Sequence, residues 1–321
     1  MDVLHRFTGD ADDFVDTLRH GTPRVFRPAD PPLDLLSADE LDHWLDTGLL
    51  RVPYLQLVTA DGEVPLPRFC PPRTVLGRAE HGYVDGSSVR RLLAEGTATV
   101  LLRHIDQWHP GIRAFCEAMR RRLGRQVEAF HFITPPGTQG RPVHRDDADV
   151  FVIQTSGTKV WHLYDGPGDG RWAPGPVGSP GRPTFTTRLE PGEVLYIPRG
   201  HAHRAIAAEP GASAHLSFTV REAGEAHLRA ALAALLVGTD RPARPLGEKD
   251  LLAAADSMLA EARANLATLS GEALLDRARA GMRAVASLPE PADAPGGDAQ
   301  GRDAPGGSTG LRITDLLTGS P

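Results

Sequence analysis

Two short segments of this sequence hold three residues that are typical of one metal site, and a fold must bring them together. Residues 142–147 read PVHRDD and residues 198–203 read PRGHAH. His144 and Asp146 alternate along the chain, so on a strand their side chains point to the same face. His203 supplies a second imidazole. Two histidines and one carboxylate leave the opposite side of a metal ion open, as in non-haem iron oxygenases.

The pattern around these ligands predicts strands of a compact β-barrel or jelly roll. Apolar runs at 150–154 and 194–197 are typical of buried strands. Gly200 permits a tight turn before a strand that begins near His203. A Ser-Gly pair between 150–154 and the strand pattern at 159–164 predicts a hairpin. The ligands are therefore expected at strand ends in the mouth of a barrel, where small-molecule sites occur.

The order and spacing of motifs over residues 125–220 resemble one known family. Residues 134–140 read TPPGTQG, and then come H-x-D-D from His144, F-x-x-Q, G-x-K-x-W around Lys159, and P-R-G-x-x-H ending at His203. This series is similar to that of the JmjC-type, cupin-like protein hydroxylases called ribosomal oxygenases. The resemblance implies a mainly β core, a double-stranded β-helix or jelly roll. It also implies a dioxygenase that uses Fe(II), 2-oxoglutarate and O2 and releases succinate and CO2.

The resemblance assigns roles to individual residues. In the family, the HxD motif and the distal histidine bind iron and form the catalytic centre, which carries over to His144, Asp146 and His203. The lysine of G-x-K-x-W binds the far carboxylate of 2-oxoglutarate, which carries over to Lys159. Composition supports this lysine independently, because 33 of the 35 basic residues are arginines. A compact ammonium suits a narrow pocket better than a planar guanidinium, although a solvated hairpin lysine is the alternative.

One position departs from the family pattern. Ribosomal oxygenases often carry a tyrosine two residues before the Thr-Pro-Pro stretch, and its hydroxyl helps to hold 2-oxoglutarate; here that residue is Phe132. We expect that the hydroxyl of Thr134 or Ser217 assists Lys159, or that the co-substrate is bound more weakly, since a hydrogen bond to a charged group contributes about 1.5–3 kcal/mol.

Three further polar residues are expected to line a substrate pocket: Gln139, His201 and His215. The P-x-G-x-x-H spacing selects His203 as the metal ligand, so His201 is expected at the rim. His215 matches a histidine that the family places near the active site. A hydrogen-bonded core histidine is the alternative for this residue.

The sequence also indicates a class of substrate. Acidic residues near the ligand segments, Asp147, Asp149, Asp165 and Asp169, would attract a basic partner, although they also fit a solvated loop face. A protein or peptide substrate, with ribosomal proteins as candidates, is therefore favoured, hydroxylated at an arginine or histidine side chain. N-demethylation begins with the same hydrogen abstraction and stays open. The alternatives are an oxygenase that tailors a small molecule or peptide natural product, and a non-catalytic cupin-like metal-binding protein.

Four regions are expected along the chain. Residues 1–100 form a mixed α+β flank and 101–221 form the β core. Residues 222–288 are rich in alanine and leucine at helical spacing; this region resembles the family's dimerisation domain and predicts a homodimer. Residues 289–321 repeat Asp-Ala-Pro-Gly-Gly and are expected to form a disordered tail. The family's C-terminal winged-helix domain is expected to be absent.

Composition excludes several other classes. The net charge is −6, so no global basic field favours direct nucleic-acid binding. Two cysteines, Cys70 and Cys116, are too few for a disulfide framework or a zinc cluster. No apolar run approaches the roughly 20 residues that span a bilayer, and the first residues lack a signal-peptide core. A cytoplasmic protein is expected, in a reducing compartment that keeps iron ferrous.

Overall fold

The computed structural model describes residues 2–169, 171–236, 247–286 and 312–318. The chain forms two compact units. Of the described residues, the first unit holds 2–122, 127–169, 171–220 and 312–318, and the second holds 123–126, 221–236 and 247–286.

Strands dominate the first unit. In chain order they are β1 (Arg24–Phe26), β2 (Leu55–Thr59), β3 (Gly62–Glu63), β4 (Arg73–Val75), β5 (Arg78–Glu80), β6 (Thr99–Leu102), β7 (Gln126–Thr134), β8 (His144–Arg145), β9 (Asp149–Ser156), β10 (Lys159–Leu163), β11 (Gly175–Pro176), β12 (Phe185–Leu189), β13 (Val194–Ile197), β14 (His203–Ala207) and β15 (Ser213–Arg221).

Helices flank the strands at both ends of the chain. They are α1 (His5–Thr8), α2 (Ala11–His20), α3 (Ala38–Asp46), α4 (Gly86–Ala94), α5 (Ile105–Trp108), α6 (Pro110–Leu123), α7 (Glu225–Leu236), α8 (Glu248–Ala267), α9 (Gly271–Ala286) and α10 (Ile313–Thr318), with 3-10 turns at Leu33–Leu35 and Leu66–Arg68. Helix α3 begins with a capping box formed by Ser37 and Glu40. Within the described ranges, no helix is long and apolar enough to cross a bilayer.

Two antiparallel sheets form the predicted jelly-roll core. The large sheet has the order β1-β13-β9-β15-β7-β6-β2-β3, and the small sheet has the order β11-β8-β14-β10-β12. An apolar cluster contains Val150 and Val152 of β9, Trp161 and Leu163 of β10, and Leu195 of β13. Strands β1, β2, β3 and β6 come from the first 102 residues, so the region expected to flank the core extends its large sheet.

Aromatic side chains pack on the opposite face of the large sheet. Because side chains alternate along a strand, β9 directs Phe151 away from the face that carries Val150 and Val152. Phe14 of α2 stacks on Phe151 at a ring-centroid distance of 4.1 Å, and Phe7 of α1 contacts Phe218 of β15 edge-on at 5.4 Å. This cluster anchors the N-terminal helices on the sheet.

The predicted hairpin between β9 and β10 is wrong. Strand β9 pairs with β13 and β15, whereas β10 pairs with β12 and β14 in the small sheet. The chain crosses between the sheets at Gly157, whose φ is +58° and where a Cβ would lie 2.3 Å from the carbonyl oxygen of Ala212. Only glycine fits there. The crossing brings Lys159 to the inner face of the small sheet, on the same side as Trp161.

Three helices make up most of the second unit. Helix α7 packs against α8 and α9, and Ala278 and Met282 of α9 are buried. Glu222 accepts hydrogen bonds from Arg279 at 2.7 and 3.0 Å and pairs with Arg125 at 3.1 Å. Helix α8 leaves large apolar side chains exposed: Leu251, Leu252, Met258, Leu259 and Leu266.

Part of the predicted disordered tail is a helix. In α10, Ile313 is fully buried, and the buried carboxylate of Asp42 in α3 accepts hydrogen bonds from the backbone N–H groups of Ile313 and Thr314. This long-range cap is invisible to composition, which explains the difference. The remainder of the predicted tail, residues 289–311 and 319–321, lies outside the described residues.

Candidate active site

Strand pairing brings the three predicted metal ligands together. His144 begins β8, His203 begins β14, and these two residues lie directly opposite each other in the antiparallel pair. Asp146 follows β8, and its Oδ2 lies 3.8 Å from Nε2 of His144 and 3.6 Å from Nε2 of His203. One ligand atom from each residue lies within 4.8 Å of the other two.

Backbone carbonyls orient both imidazoles. Nδ1 of His144 lies 2.8 Å from the carbonyl oxygen of Pro142, and Nδ1 of His203 lies 3.0 Å from that of His201. Because a carbonyl oxygen only accepts, each Nδ1 must be the protonated nitrogen. Each Nε2 therefore presents its lone pair toward Asp146.

Burial prepares these imidazoles for a metal. Desolvation, with the neighbouring charge of His203 second, lowers the pKa of His144 to about 3. Desolvation also lowers the pKa of His203. Both rings are therefore neutral at neutral pH, the form that binds metal. The Asp146 side chain is 33% exposed against 8% and 6% for the two histidines, so the cluster opens on its carboxylate side. This donor set fits Fe(II) with open coordination positions.

Lys159 is a buried cation in the same interior. Its side chain donates hydrogen bonds to Oγ1 of Thr134 at 2.8 Å and to Nδ1 of His215 at 3.1 Å, and the residue is only 2% exposed. Desolvation lowers the pKa of Lys159 to about 7. Both partners are neutral groups, and within the described ranges no carboxylate forms an ion pair with this ammonium. With two of its three N–H donors used, one remains for an anion.

His215 is a hydrogen-bond acceptor for the Lys159 ammonium. Desolvation, followed by the charge of Lys159, holds the pKa of His215 well below its ordinary value, so the ring is neutral and its Nδ1 accepts. Phe132 stacks on this ring at a centroid distance of 4.7 Å, and Trp161 meets it edge-on at 5.3 Å. The structure thus places His215, predicted as a pocket residue, directly against Lys159. Phe132 contributes a ring face where the family pattern has a hydroxyl.

Thr134 is the hydroxyl that the structure places against Lys159. Its Oγ1 accepts hydrogen bonds from Lys159 and from the hydroxyl of Thr99, the latter at 3.2 Å. Because both lone pairs are used, the Thr134 proton is free to donate. Ser217 is also buried and lies two residues beyond His215 on the same face of β15.

The other predicted pocket residues occupy different surroundings. The Gln139 amide is engaged at both ends, since Nε2 donates to the carbonyl of Arg141 at 2.8 Å and Oε1 accepts from Arg204 at 3.1 Å. His201 lies against Gly166, and its buried Nδ1 has no hydrogen-bond partner among the residues described. Gln139 therefore braces a loop, whereas His201 adjoins the ligand strand.

The predicted acidic face is not continuous. Asp149 is buried, and its carboxylate accepts hydrogen bonds from the Tyr196 hydroxyl at 2.7 Å and from the backbone N–H of Arg199 at 3.2 Å. Asp147, Asp165 and Asp169 are exposed. Asp149 was grouped with the other three because it lies near the ligand segments in sequence, but its partners come from β13 and the loop after it.

Sequence reasoning missed two polar residues beside the site. Thr99 lies on β6 and reaches the site only because β6 pairs with β7. Arg141 lies three residues before His144 and has no recognised motif role. Its position between Gly140 and a ligand strand is the signal that would have singled it out.

Known proteins resemble this chain in sequence. Residues 101–228 match the family model described as JmjC domain. A Drosophila grimshawi protein named bifunctional lysine-specific demethylase and histidyl-hydroxylase NO66 is 35% identical over 155 residues, or 46% of this chain and 19% of that protein. The Drosophila willistoni protein of the same name is 38% identical over 147 residues, or 43% and 17%. The chain spans less than a fifth of the length of these curated relatives.

Solved structures resemble it in fold. Ribosomal oxygenase YcfD from Escherichia coli superposes with a TM-score of 0.53 at 22% identity, covering 83% of this chain and 68% of that one. YcfD in complex with cobalt and succinic acid gives a TM-score of 0.51 at 21% identity, covering 81% and 67%. At this identity, the likeness establishes a shared fold.

Removing an imidazole from the cluster should abolish metal binding, and removing a neighbouring imidazole should not. We expect His144→Ala to lose stoichiometric Co(II) binding, measured by calorimetry on metal-free protein. His201→Ala is the matched control, because it keeps the backbone carbonyl that orients His203. Equal Co(II) affinity of His144→Ala and wild type would show that His144 is not a ligand.

Proposed function

We propose that the chain, whose residues 101–228 match the JmjC domain model and whose fold is similar to that of ribosomal oxygenase YcfD, is a 2-oxoglutarate- and Fe(II)-dependent dioxygenase that hydroxylates a side chain of a protein or peptide. One observation carries the proposal. The buried ammonium of Lys159, which pairs with no carboxylate of the residues that the structure describes, shares the barrel interior with a His-Asp-His metal cluster. A dicarboxylic acid that also binds metal can pair with the Lys159 ammonium and reach the metal held by the cluster.

The solved relative supports this combination of ligands. The Escherichia coli protein was crystallised with cobalt and succinic acid, a metal and a dicarboxylic acid. In this chain, His144, Asp146 and His203 would hold Fe(II). The ammonium of Lys159 and the free hydroxyl proton of Thr134 would bind the far carboxylate of 2-oxoglutarate.

The bound groups and the protein side chains have separate roles in the proposed reaction. Bound Fe(II), with 2-oxoglutarate and O2, supplies the oxidising power for C–H hydroxylation, and succinate and CO2 are the co-products. His144, Asp146 and His203 would hold the metal, and the partly exposed side of the cluster at Asp146 would give access to substrate. Phe132 and Trp161 pack on the ring of His215, and Lys159 is only 2% exposed, so little water would weaken the bond from Lys159 to a carboxylate.

For the substrate we propose an arginine or histidine side chain, in a ribosomal protein or a peptide of similar sequence. The Drosophila relatives are named for demethylation of lysine and hydroxylation of histidine, both side chains of proteins. Exposed carboxylates of Asp147, Asp165 and Asp169 favour a basic partner at long range. Screening peptides beside free amino acids separates this proposal from an oxygenase that acts on small molecules.

The decisive experiment is the anaerobic visible spectrum of the protein with Fe(II), recorded before and after 2-oxoglutarate is added. We expect a metal-to-ligand charge-transfer band in wild type. It should be absent in His144→Ala and weaker at equal 2-oxoglutarate in Lys159→Ala, because the first variant loses a metal ligand and the second loses the carboxylate partner. Absence of the band in wild type at millimolar 2-oxoglutarate would contradict the assignment.

Thr134, rather than Ser217, should assist Lys159. We expect Thr134→Val to lower the affinity for 2-oxoglutarate at least about tenfold, because a hydrogen bond to a charged carboxylate is lost. Ser217→Ala is the matched control and should bind nearly as wild type does. Titration of the charge-transfer band gives both dissociation constants, and a larger effect of Ser217→Ala would reverse the assignment.

We also propose that the chain forms a homodimer through its C-terminal helices. Helix α8 exposes Leu252 at 68% and Leu259 at 53% of their surface, and an apolar stripe of this size marks an interface. The double variant Leu252→Glu/Leu259→Glu should change a dimer into a monomer in sedimentation velocity, with its circular dichroism unchanged. Asp256→Asn on the same helix is the control. A monomeric wild type would refute the dimer.

A further inference from the structure

Arg141 is a second cation beside the metal cluster. It lies three residues before His144, and a Cβ on its neighbour Gly140 would lie 2.8 Å from the Thr99 hydroxyl oxygen and 3.3 Å from that of Thr134, so its loop adjoins both the ligand strand and the partner of Lys159. The charges that act on Arg141 are those of Asp146, of Arg103 after β6, and of Glu63 in β3. Arg141 therefore lies between the ligands and the β3–β6 side of the large sheet. Lys159 lies on β10 in the small sheet.

The loop that carries Arg141 is held rigidly. Gln139 clamps it by donating to the Arg141 carbonyl and accepting from Arg204. Gly140 is buried against Thr99, where a Cβ would lie 2.8 Å from the hydroxyl oxygen. The backbone is thus fixed on two sides, so the guanidinium is presented from a preorganised position.

The guanidinium lacks a partner. Among the residues described, no hydrogen bond or ion pair engages the Arg141 side chain, although the residue is only partly exposed. Burial lowers the pKa of Arg141 even though Asp146 and Glu63 act in the opposite direction. In the part of the chain that the structure describes, the Arg103 side chain pairs with a neutral group, since it donates to Oε1 of Gln56 at 2.9 Å.

Metal binding would reduce the negative charge that is available to the Arg141 guanidinium. Asp146 is a member of the metal cluster, so its negative charge would be shared with the metal. Glu63 then remains as the nearby carboxylate, and it accepts a hydrogen bond from Gln56 at 3.3 Å. Two positive charges, of Arg103 and Arg141, then exceed the one negative charge of Glu63, and a partly buried cation that forms no ion pair with the described residues can bind an anion.

We propose that Arg141, with Arg103 beside it, binds a carboxylate of the substrate next to the metal cluster. The inference rests on the proposed function for the reaction and adds a substrate class. The side chain that reacts is accompanied by an acidic group. That group is either an aspartate or glutamate side chain of a peptide or the free carboxylate of an amino acid.

The test measures equilibrium binding without turnover, on the full-length protein loaded with Mn(II) and 2-oxoglutarate under anaerobic conditions. Two pools of nine-residue peptides carry arginine or histidine at the centre and random residues elsewhere. One pool has glutamate, and the other glutamine, on both sides of the centre. N-acetylarginine and N-acetylhistidine, each beside its carboxamide, form the arm for small molecules.

Wild type should prefer the acidic member of at least one pair by about tenfold, since a charge-assisted hydrogen bond replaces a neutral one. The arm that shows the preference identifies the source of the carboxylate. Arg141→Gln should abolish the preference and Arg141→Lys should retain part of it. Arg188→Gln, an exposed arginine that pairs with Glu190, is the control and should leave it unchanged.

Equal binding of acidic and neutral probes by wild type would overturn the proposal without any variant, as would failure of every acidic probe to bind. So would an unchanged preference in Arg141→Gln. Weaker 2-oxoglutarate binding in Arg141→Gln with unchanged probe selectivity would assign Arg141 to the co-substrate instead. If the charge-transfer band of wild type is absent, the proposed function fails, and this result is distinct from a missing carboxylate preference.

Discussion

The site depends on one costly interaction, the burial of the Lys159 ammonium among neutral groups. Thr134 and His215 accept two of its hydrogen bonds, and neither brings a negative charge. Burying a charge without an opposite charge is unfavourable, and the pKa of Lys159, lowered to about 7, reflects this cost. A carboxylate that enters the barrel removes the penalty, so the surroundings of Lys159 favour binding of an anion.

The fold supplies the rest of the arrangement. The crossing at Gly157 moves the chain from the large sheet to the small one, which turns Lys159 inward. The β8–β14 pair places His144 opposite His203, and two carbonyls rotate both rings so that Nε2 faces Asp146. Backbone hydrogen bonding therefore sets the positions of the metal ligands before any metal is bound.

Much of this could be read from the sequence because it is local. HxD on a strand has a fixed geometry, and the spacing to the distal histidine is typical of a known family, so His144, Asp146 and His203 were brought together as predicted. Long-range pairing was not readable. The Ser-Gly turn was wrongly predicted as a hairpin because turn chemistry does not say whether the next strand joins the same sheet. The cap that Asp42 provides for α10 depends on residues about 270 positions apart.

Proton uptake on 2-oxoglutarate binding shows most directly whether a carboxylate binds the Lys159 ammonium. It is measured by calorimetry near pH 8.5 in buffers of different ionisation enthalpy. Lys159, with its pKa lowered to about 7, is then mostly neutral, and a bound carboxylate raises that pKa. We predict that binding takes up about one proton and that the affinity for 2-oxoglutarate falls up to about tenfold per pH unit above 7. Lys159→Gln should lose both effects. Binding without proton uptake and with constant affinity between pH 7 and 9 would contradict this prediction.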